Sequence, residues 1–315
     1  MSPRTIVVTG ASGFLGSWVV PALAAAAPAD RIVGIGRRSG PVPNAGVPNF
    51  DYRTVDLLAS ERWISQLPGR ADAVLHLAGD GRTSVNAPEW FAQQQANIAL
   101  TSRVIDYAQA ARAATVLYAS SVYVYSGVPR PPFVEQSLAL PVEQLGATKL
   151  AAEALLSAAA DAGCFHALSL RIFTAYGPRS REEQFVPQVI RKLLSPEPVA
   201  RFRTPERMRD FVYAGDVGAA FVAGLAAQLE RSYEAVNIGS GTPTRIKEMV
   251  ALLARLLGAR KSIEFLPDAS PRTGPSGDHW ADVSRSRTLL GWQPAVSLEE
   301  GVRRTVESYL SVVGA

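Results

Sequence analysis

Through its first half the chain alternates short apolar runs with longer stretches of helical length. The runs at residues 6–9, 32–36, 73–77, 115–119 and 168–173 read as strands, and the Ala- and Leu-rich stretches at 97–111 and 148–162 read as helices. The strand-like runs are apolar throughout rather than alternating with polar residues. That pattern suits strands buried on both faces of a parallel sheet, with helices packed on each side. The predicted class is therefore α/β, a doubly wound parallel sheet. Beyond about residue 176 the pattern loosens, because Pro178, Pro187, Pro196, Pro198 and Pro205 cut the chain into short elements. An amphipathic helix follows at Ile246–Leu257 and a last one at 298–310. A length of 315 residues accommodates about two domains. The expected division is a first domain over 1–175, with chain crossing back near 209–240, and a smaller one mainly over 176–315.

The first strand runs straight into a turn. Val7-Val8-Thr9-Gly10-Ala11-Ser12-Gly13-Phe14-Leu15-Gly16 is a strand, a Gly-x-x-Gly-x-x-Gly loop and the start of a helix. Gly10 permits the tight turn, Gly13 lets backbone approach a pyrophosphate, and Gly16 lets the helix pack on the strand. The helix N-terminus then supplies amides and dipole to the phosphates. This is the Rossmann signature of a nicotinamide dinucleotide, with residues 10–16, including Ser12, Phe14 and Leu15, as its cradle. The first domain is thus the dinucleotide-binding one and the second the substrate-binding one. Pro21 falls inside the first helix and should kink it. The second strand ends in Gly36-Arg37-Arg38, where an NAD site carries an acid for the ribose 2′-hydroxyl. Two guanidinium groups suit a 2′-phosphate instead, so NADP(H) is favoured over NAD(H).

Composition narrows the class. Hydrophobic residues make up 47% and charged residues 19%, and 32 basic against 28 acidic residues leave a net charge of +4. No basic run is long enough to track nucleic acid. Cys164 is the single cysteine, and His76, His166 and His279 lack metal-ligand spacing, so no metal is expected. Neither a signal segment nor a membrane span is visible, which predicts a cytoplasmic protein.

Further motifs extend these: Asp56-Leu57, His76-Leu77-Ala78-Gly79, Asn97 within Ala-Asn-Ile, Ser120-Ser121 with Val124-Tyr125, Arg171-Ile-Phe-Thr-Ala-Tyr-Gly-Pro178, Arg209-Asp-Phe-Val-Tyr, Asn237-Ile-Gly-Ser-Gly241 and Leu290-Gly-Trp-Gln-Pro294. With them the chain resembles, over nearly its whole length, the extended short-chain dehydrogenase/reductases. That group includes nucleotide-sugar epimerases, dehydratases and ketoreductases. The resemblance implies that Asp56 and Leu57 hold the adenine, that Leu77, Ala78, Gly79, Asn97 and Ile172 line the cofactor, and that Lys149 holds the nicotinamide ribose. It makes Ser121 the donor to the reacting sugar oxygen and Arg209 and Arg272 the grip on a nucleotide diphosphate. Ser84 and Thr174 join the substrate set, Thr174 standing where the family usually has asparagine. It also implies a homodimer, through a four-helix contact made by the helices at 97–111 and 148–162.

One position departs. The family motif is Tyr-x-x-x-Lys, in which the phenol moves the proton; here the segment is Leu145-Gly-Ala-Thr-Lys149. Three readings stay open: another group supplies the proton, with Tyr123 the candidate; the chain binds its ligands with altered or no redox chemistry; or the leucine is an engineered substitution. Val122 and Tyr123 stand where a 4,6-dehydratase needs its acidic pair and a decarboxylase its glutamate, which argues against both. The favoured expectation is an NADP(H)-dependent 4-ketoreductase of a nucleotide-linked keto-sugar. The alternatives are a nucleotide-sugar 4-epimerase, a reductase of aromatic ketones and a non-catalytic dinucleotide-binding protein.

Overall fold

The computed structural model describes residues 3–59, 61–82, 89–266 and 277–313. Seven parallel strands form its main sheet: β1 (Thr5–Thr9), β2 (Arg31–Gly36), β3 (Phe50–Thr54), β4 (Ala73–His76), β5 (Thr115–Ser121), β6 (His166–Ile172) and β10 (Tyr233–Ile238). Their order is β10-β6-β5-β4-β1-β2-β3. Side-chain alternation along each strand sorts the apolar residues between two cores. Ile6 and Val8 of β1, with Leu117 and Ala119 of β5, point to one face. There α1 (Gly16–Ala26) and α6 (Ala214–Ala226) cover them with Val19, Val20, Ala220 and Phe221. Val7, Val116 and Tyr118 point the other way. They meet Val104 and Tyr107 of α3 (Leu100–Ala110) and Leu156 and Ala160 of α4 (Gln144–Asp161). Both faces are covered by apolar side chains, as the unbroken apolar runs predict.

A third core lies apart from the sheet. It joins α5 (Phe185–Leu194), α7 (Ile246–Leu257) and α9 (Leu298–Val313) through Ile190, Met249, Leu253 and Val302. Around it stand a three-stranded sheet of β7 (Thr174–Tyr176), β9 (Met208–Tyr213) and β11 (Pro243–Arg245), and the parallel pair β8 (Val199–Arg203) and β12 (Ser262–Leu266). A short α8 (Ser284–Leu290) puts Leu290 back into the first core.

Some boundaries differ from the sequence reading. β5 runs on to Ser121, and α4 begins at Gln144, so position 145 lies inside the helix. The helix expected from residue 97 is preceded by α2 (Trp90–Gln94) and a π-helical turn, Gln95–Ala99. The helix α1 continues through Pro21 as one element. The sheet order reverses at β1, whose neighbours are β2 and β4. At such a point the crossovers diverge and leave a crevice beyond the carboxyl ends of the strands.

Candidate active site

The crevice is walled first by the glycine loop. Gly10 has φ +71°, and a Cβ there would lie 2.7 Å from the Ala78 nitrogen, so the tight turn requires glycine. Its N–H donates to the Ile35 carbonyl (2.8 Å), and that of Gly13 to Gly10 (2.9 Å), which closes the loop. No side chain caps α1 and no acid stands in its first turn. The positive end of the helix is therefore open to an anion. Arg37 and Arg38 line the cleft beside it. Asp56 accepts the Leu58 N–H (2.9 Å), which shapes the Asp56–Leu57 wall.

The loop after β4 is fixed from beneath by one directed chain of hydrogen bonds. Thr101 Oγ1 donates to the Asn97 carbonyl (2.6 Å), so His76 must donate its Nε2–H to Thr101 (3.1 Å). His76 Nδ1 then accepts from Thr9 Oγ1 (2.8 Å), which in turn accepts the Ala78 N–H (3.2 Å). Burial, helped by the charge of Lys149, pulls the His76 pKa down to about 3, so the ring stays neutral. Asn97 clamps the same loop. Its Oδ1 accepts the Asp80 N–H (2.8 Å), and its Nδ2 donates to the Asp80 carbonyl (3.0 Å) and to Thr148 Oγ1 (2.9 Å).

The floor comes from the end of β5 and the start of α4. Ser121 Oγ accepts the Tyr123 N–H (3.3 Å), capping the 3-10 turn Val122–Tyr125. A Cβ at Gly146 would lie 2.1 Å from the Tyr123 carbonyl oxygen, so α4 rests directly on that turn. This contact brings Leu145 (4% exposed) and Lys149 (7%) into the same wall as Ser121 and Tyr123. Lys149 Nζ donates to the Ala119 carbonyl (2.8 Å) and lies 4.7 Å from the centre of the Tyr118 ring. Burial pulls its pKa down to about 8, against the opposing charge of Glu153. Glu153 is held by Arg171 (2.7 Å) and Ser120 (2.5 Å), and Arg171 donates onward to Tyr125 (2.7 Å).

At the far end Thr174 and Arg209 line the cleft, and Arg209 donates to the Met208 (2.9 Å) and Gly277 (2.6 Å) carbonyls. His279 stands beside them, held well below its ordinary pKa by burial and by Arg209. The described residues singled out from the sequence all line this cleft except Asn97, whose amide is engaged below it. Ser84 and Arg272 lie outside the described residues. Sequence reasoning missed Asp80, which pairs with Arg82 (2.5 Å), and Arg181, whose charge acts on both Asp80 and Lys149.

The cleft measures 1410 Å³, above the roughly 300–1,000 Å³ of a site for one small ligand. Glycine cradle, open helix end and cleft size together fit a dinucleotide with room for a second ligand. Among the described residues no cluster of His, Cys, Asp or Glu is placed to hold a metal, and no helix is long and apolar enough to cross a membrane.

Comparison with known proteins agrees with this geometry. The UDP-glucose 4-epimerase of Mycolicibacterium smegmatis is 30% identical over 97% of this chain and 98% of its own. The UDP-glucuronate 4-epimerase of Thermodesulfobacterium geofontis is 29% identical over 74% of this chain and 71% of its own. The solved structure of MoeE5 in complex with UDP-glucuronic acid and NAD is 28% identical, covers 98% of this chain and 99% of its own, and superposes with a TM-score of 0.86. The model of the NAD dependent epimerase/dehydratase family matches residues 6–239. The chain belongs to the NAD dependent epimerase/dehydratase family and is an enzyme of the extended short-chain dehydrogenase/reductase type.

Proposed function

We propose that this protein is a nicotinamide-dependent nucleotide-sugar 4-epimerase. The observation that carries this reading is the single continuous cleft, running from the dinucleotide loop at Gly10 past Ser121 and Lys149 to Arg209. It accommodates a hexose joined to a nucleoside diphosphate against the face of the nicotinamide. Residues 10–16, 37–38, 56–57 and 77–79 would hold the cofactor, Lys149 and Ile172 its nicotinamide end, and Thr174 and Arg209 the nucleotide sugar.

Arg37 and Arg38 favour a 2′-phosphate, and with it a 4-ketoreductase that consumes NADPH. The likeness to two kinds of UDP-sugar 4-epimerase, full-length for the UDP-glucose enzyme and over about three quarters of the chain for the UDP-glucuronate enzyme, weighs more heavily for the reaction, because epimerisation returns the hydride and needs no second cofactor molecule. Val122 and Tyr123, where a dehydratase would carry acids, weigh against water elimination.

The test is incubation with UDP-glucose and UDP-glucuronate, read by proton NMR at the sugar C4. Conversion to the C4 epimer without net change in nicotinamide absorbance is expected. Stoichiometric NADPH consumption with a 4-keto-sugar would restore the ketoreductase. Cofactor binding without turnover of either kind would mark a non-catalytic protein.

We also infer a homodimer through α3 and α4. Ala147, Ala151, Ala154 and Ala158 form a stripe of small residues on α4, at least partly open to solvent, where a second helix could approach closely. Sedimentation at a mass of one chain would refute it.

A further inference from the structure

We propose that Lys149 is itself the acid–base group of this site, carrying the proton that a tyrosine at position 145 would carry in its relatives. The inference rests on the epimerase reading above. Leu145 is buried in the cleft wall, so the position one helical turn before Lys149 offers no proton. Lys149 is on the same helix face, and it lines the same wall between Ser121 and the loop at Gly79. The Ala119 carbonyl takes one of the N–H bonds of its Nζ, and the Tyr118 ring lies beside it.

The groups around this nitrogen keep its proton loosely held. Burial lowers its pKa from 10.5 to about 8, close to the neutral range where proton transfer in both directions is most efficient. The charges that would raise it are compensated. Glu153, one turn further along α4, is paired with Arg171, and Asp80 is paired with Arg82. Arg181 opposes the ammonium form, and His76 beneath contributes no charge. His279, the imidazole at the far end of the cleft, is held well below its ordinary pKa by burial and by Arg209.

A nicotinamide cofactor held along the cleft would supply the hydride acceptor for C4 of the sugar. The chain must take the proton of the C4 hydroxyl: that O–H bond breaks, the proton goes to the neutral Nζ amine, and the electron pair becomes the second bond of the C4 carbonyl. The resulting ammonium returns the proton to the carbonyl oxygen as C4 is reduced again, from its opposite face. Ser121 Oγ accepts the Tyr123 N–H, which leaves its own O–H to donate to the same sugar oxygen.

Three measurements test this. Lysine-labelled protein free of ligands, with the Lys149 signal identified by its loss in Lys149→Met, should titrate near 8. A titration at the ordinary lysine value overturns the proposal whether or not the enzyme turns over. The pH profile of kcat for epimerisation should rise with that same pKa and lose that limb in Leu145→Tyr. Lys149→Ala, assayed at saturating cofactor, should lose about 10²–10⁴ in kcat, with primary amines restoring turnover according to their own pKa values. Failure of amines to rescue, together with loss of turnover in Tyr123→Phe, would assign the proton to Tyr123. Absence of epimer from every nucleotide sugar in the parent protein would instead defeat the epimerase reading, and the ligand-free titration would still judge Lys149.

Discussion

The carboxyl of Glu143 stands two residues ahead of Leu145, at the N-cap of α4, and one of its oxygens is buried with no hydrogen-bond partner among the described residues. Burial raises its pKa from 4.5 to about 7, with Arg209 pulling the other way. A carboxyl raised on folding binds its proton more tightly in the native state than in the unfolded one. The stability it contributes is therefore fully present below pH 4.5 and lost as the pH rises through about 7. Glu143→Gln keeps this position uncharged at every pH. The variant should gain stability relative to the parent across that interval, measured by urea denaturation at a series of pH values. Parallel curves for the two proteins would show that the charge is already compensated. Glu143, Lys149 and His76 all shift toward their neutral forms for one reason: burial disfavours the charge of each.

At the scale of elements, the decisive contact is that of α4 on the 3-10 turn Val122–Tyr125. Gly146→Ala would force a methyl into the Tyr123 carbonyl at 2.1 Å. The helix would have to lift, which should cost about 1–3 kcal/mol, as overpacking does. Activity should fall further than stability, because Leu145 and Lys149 move with the helix; thermal unfolding and epimerisation assays on one preparation would separate the two. Unchanged melting and turnover would mean that the turn yields freely. The sequence exposed part of this arrangement. Strong periodicity located α7 at its observed bounds and the start of α9 at Leu298, and motifs contiguous in the chain pointed to the glycine loop, Ser121 and Lys149, which line the cleft. The start of α4 was hidden because Gly146 weakens helix propensity and only its contact with Tyr123 explains it. The short strands β8, β11 and β12 were hidden as well, since each pairs with a segment remote in sequence. Asp80 and Arg181 joined the site only through such tertiary approach.

At the scale of the molecule, the cleft has the seven-stranded sheet on one side and the third core on the other, and its dinucleotide end is edged by Arg37 and Arg38. Replacing both with alanine should weaken NADP⁺ binding by about tenfold to a hundredfold, the worth of one charge-assisted hydrogen bond, and leave NAD⁺ binding nearly unchanged. Calorimetric titration of the two dinucleotides would read this directly, and equal losses for both would place the arginines against the adenosine rather than a 2′-phosphate. The strand β10 has a consequence for how such a molecule could be assembled from parts. It completes the sheet beside β6, yet it follows β8, β9 and α6 in the chain. A gene cut after residue 175 would yield a half whose outer strand offers an unpaired edge and whose apolar face lacks Phe221. The cofactor half is therefore not a cassette that recombination could hand to a new substrate half. New specificities in this architecture must arise by exchanging side chains and loops around the cleft, within an uninterrupted chain.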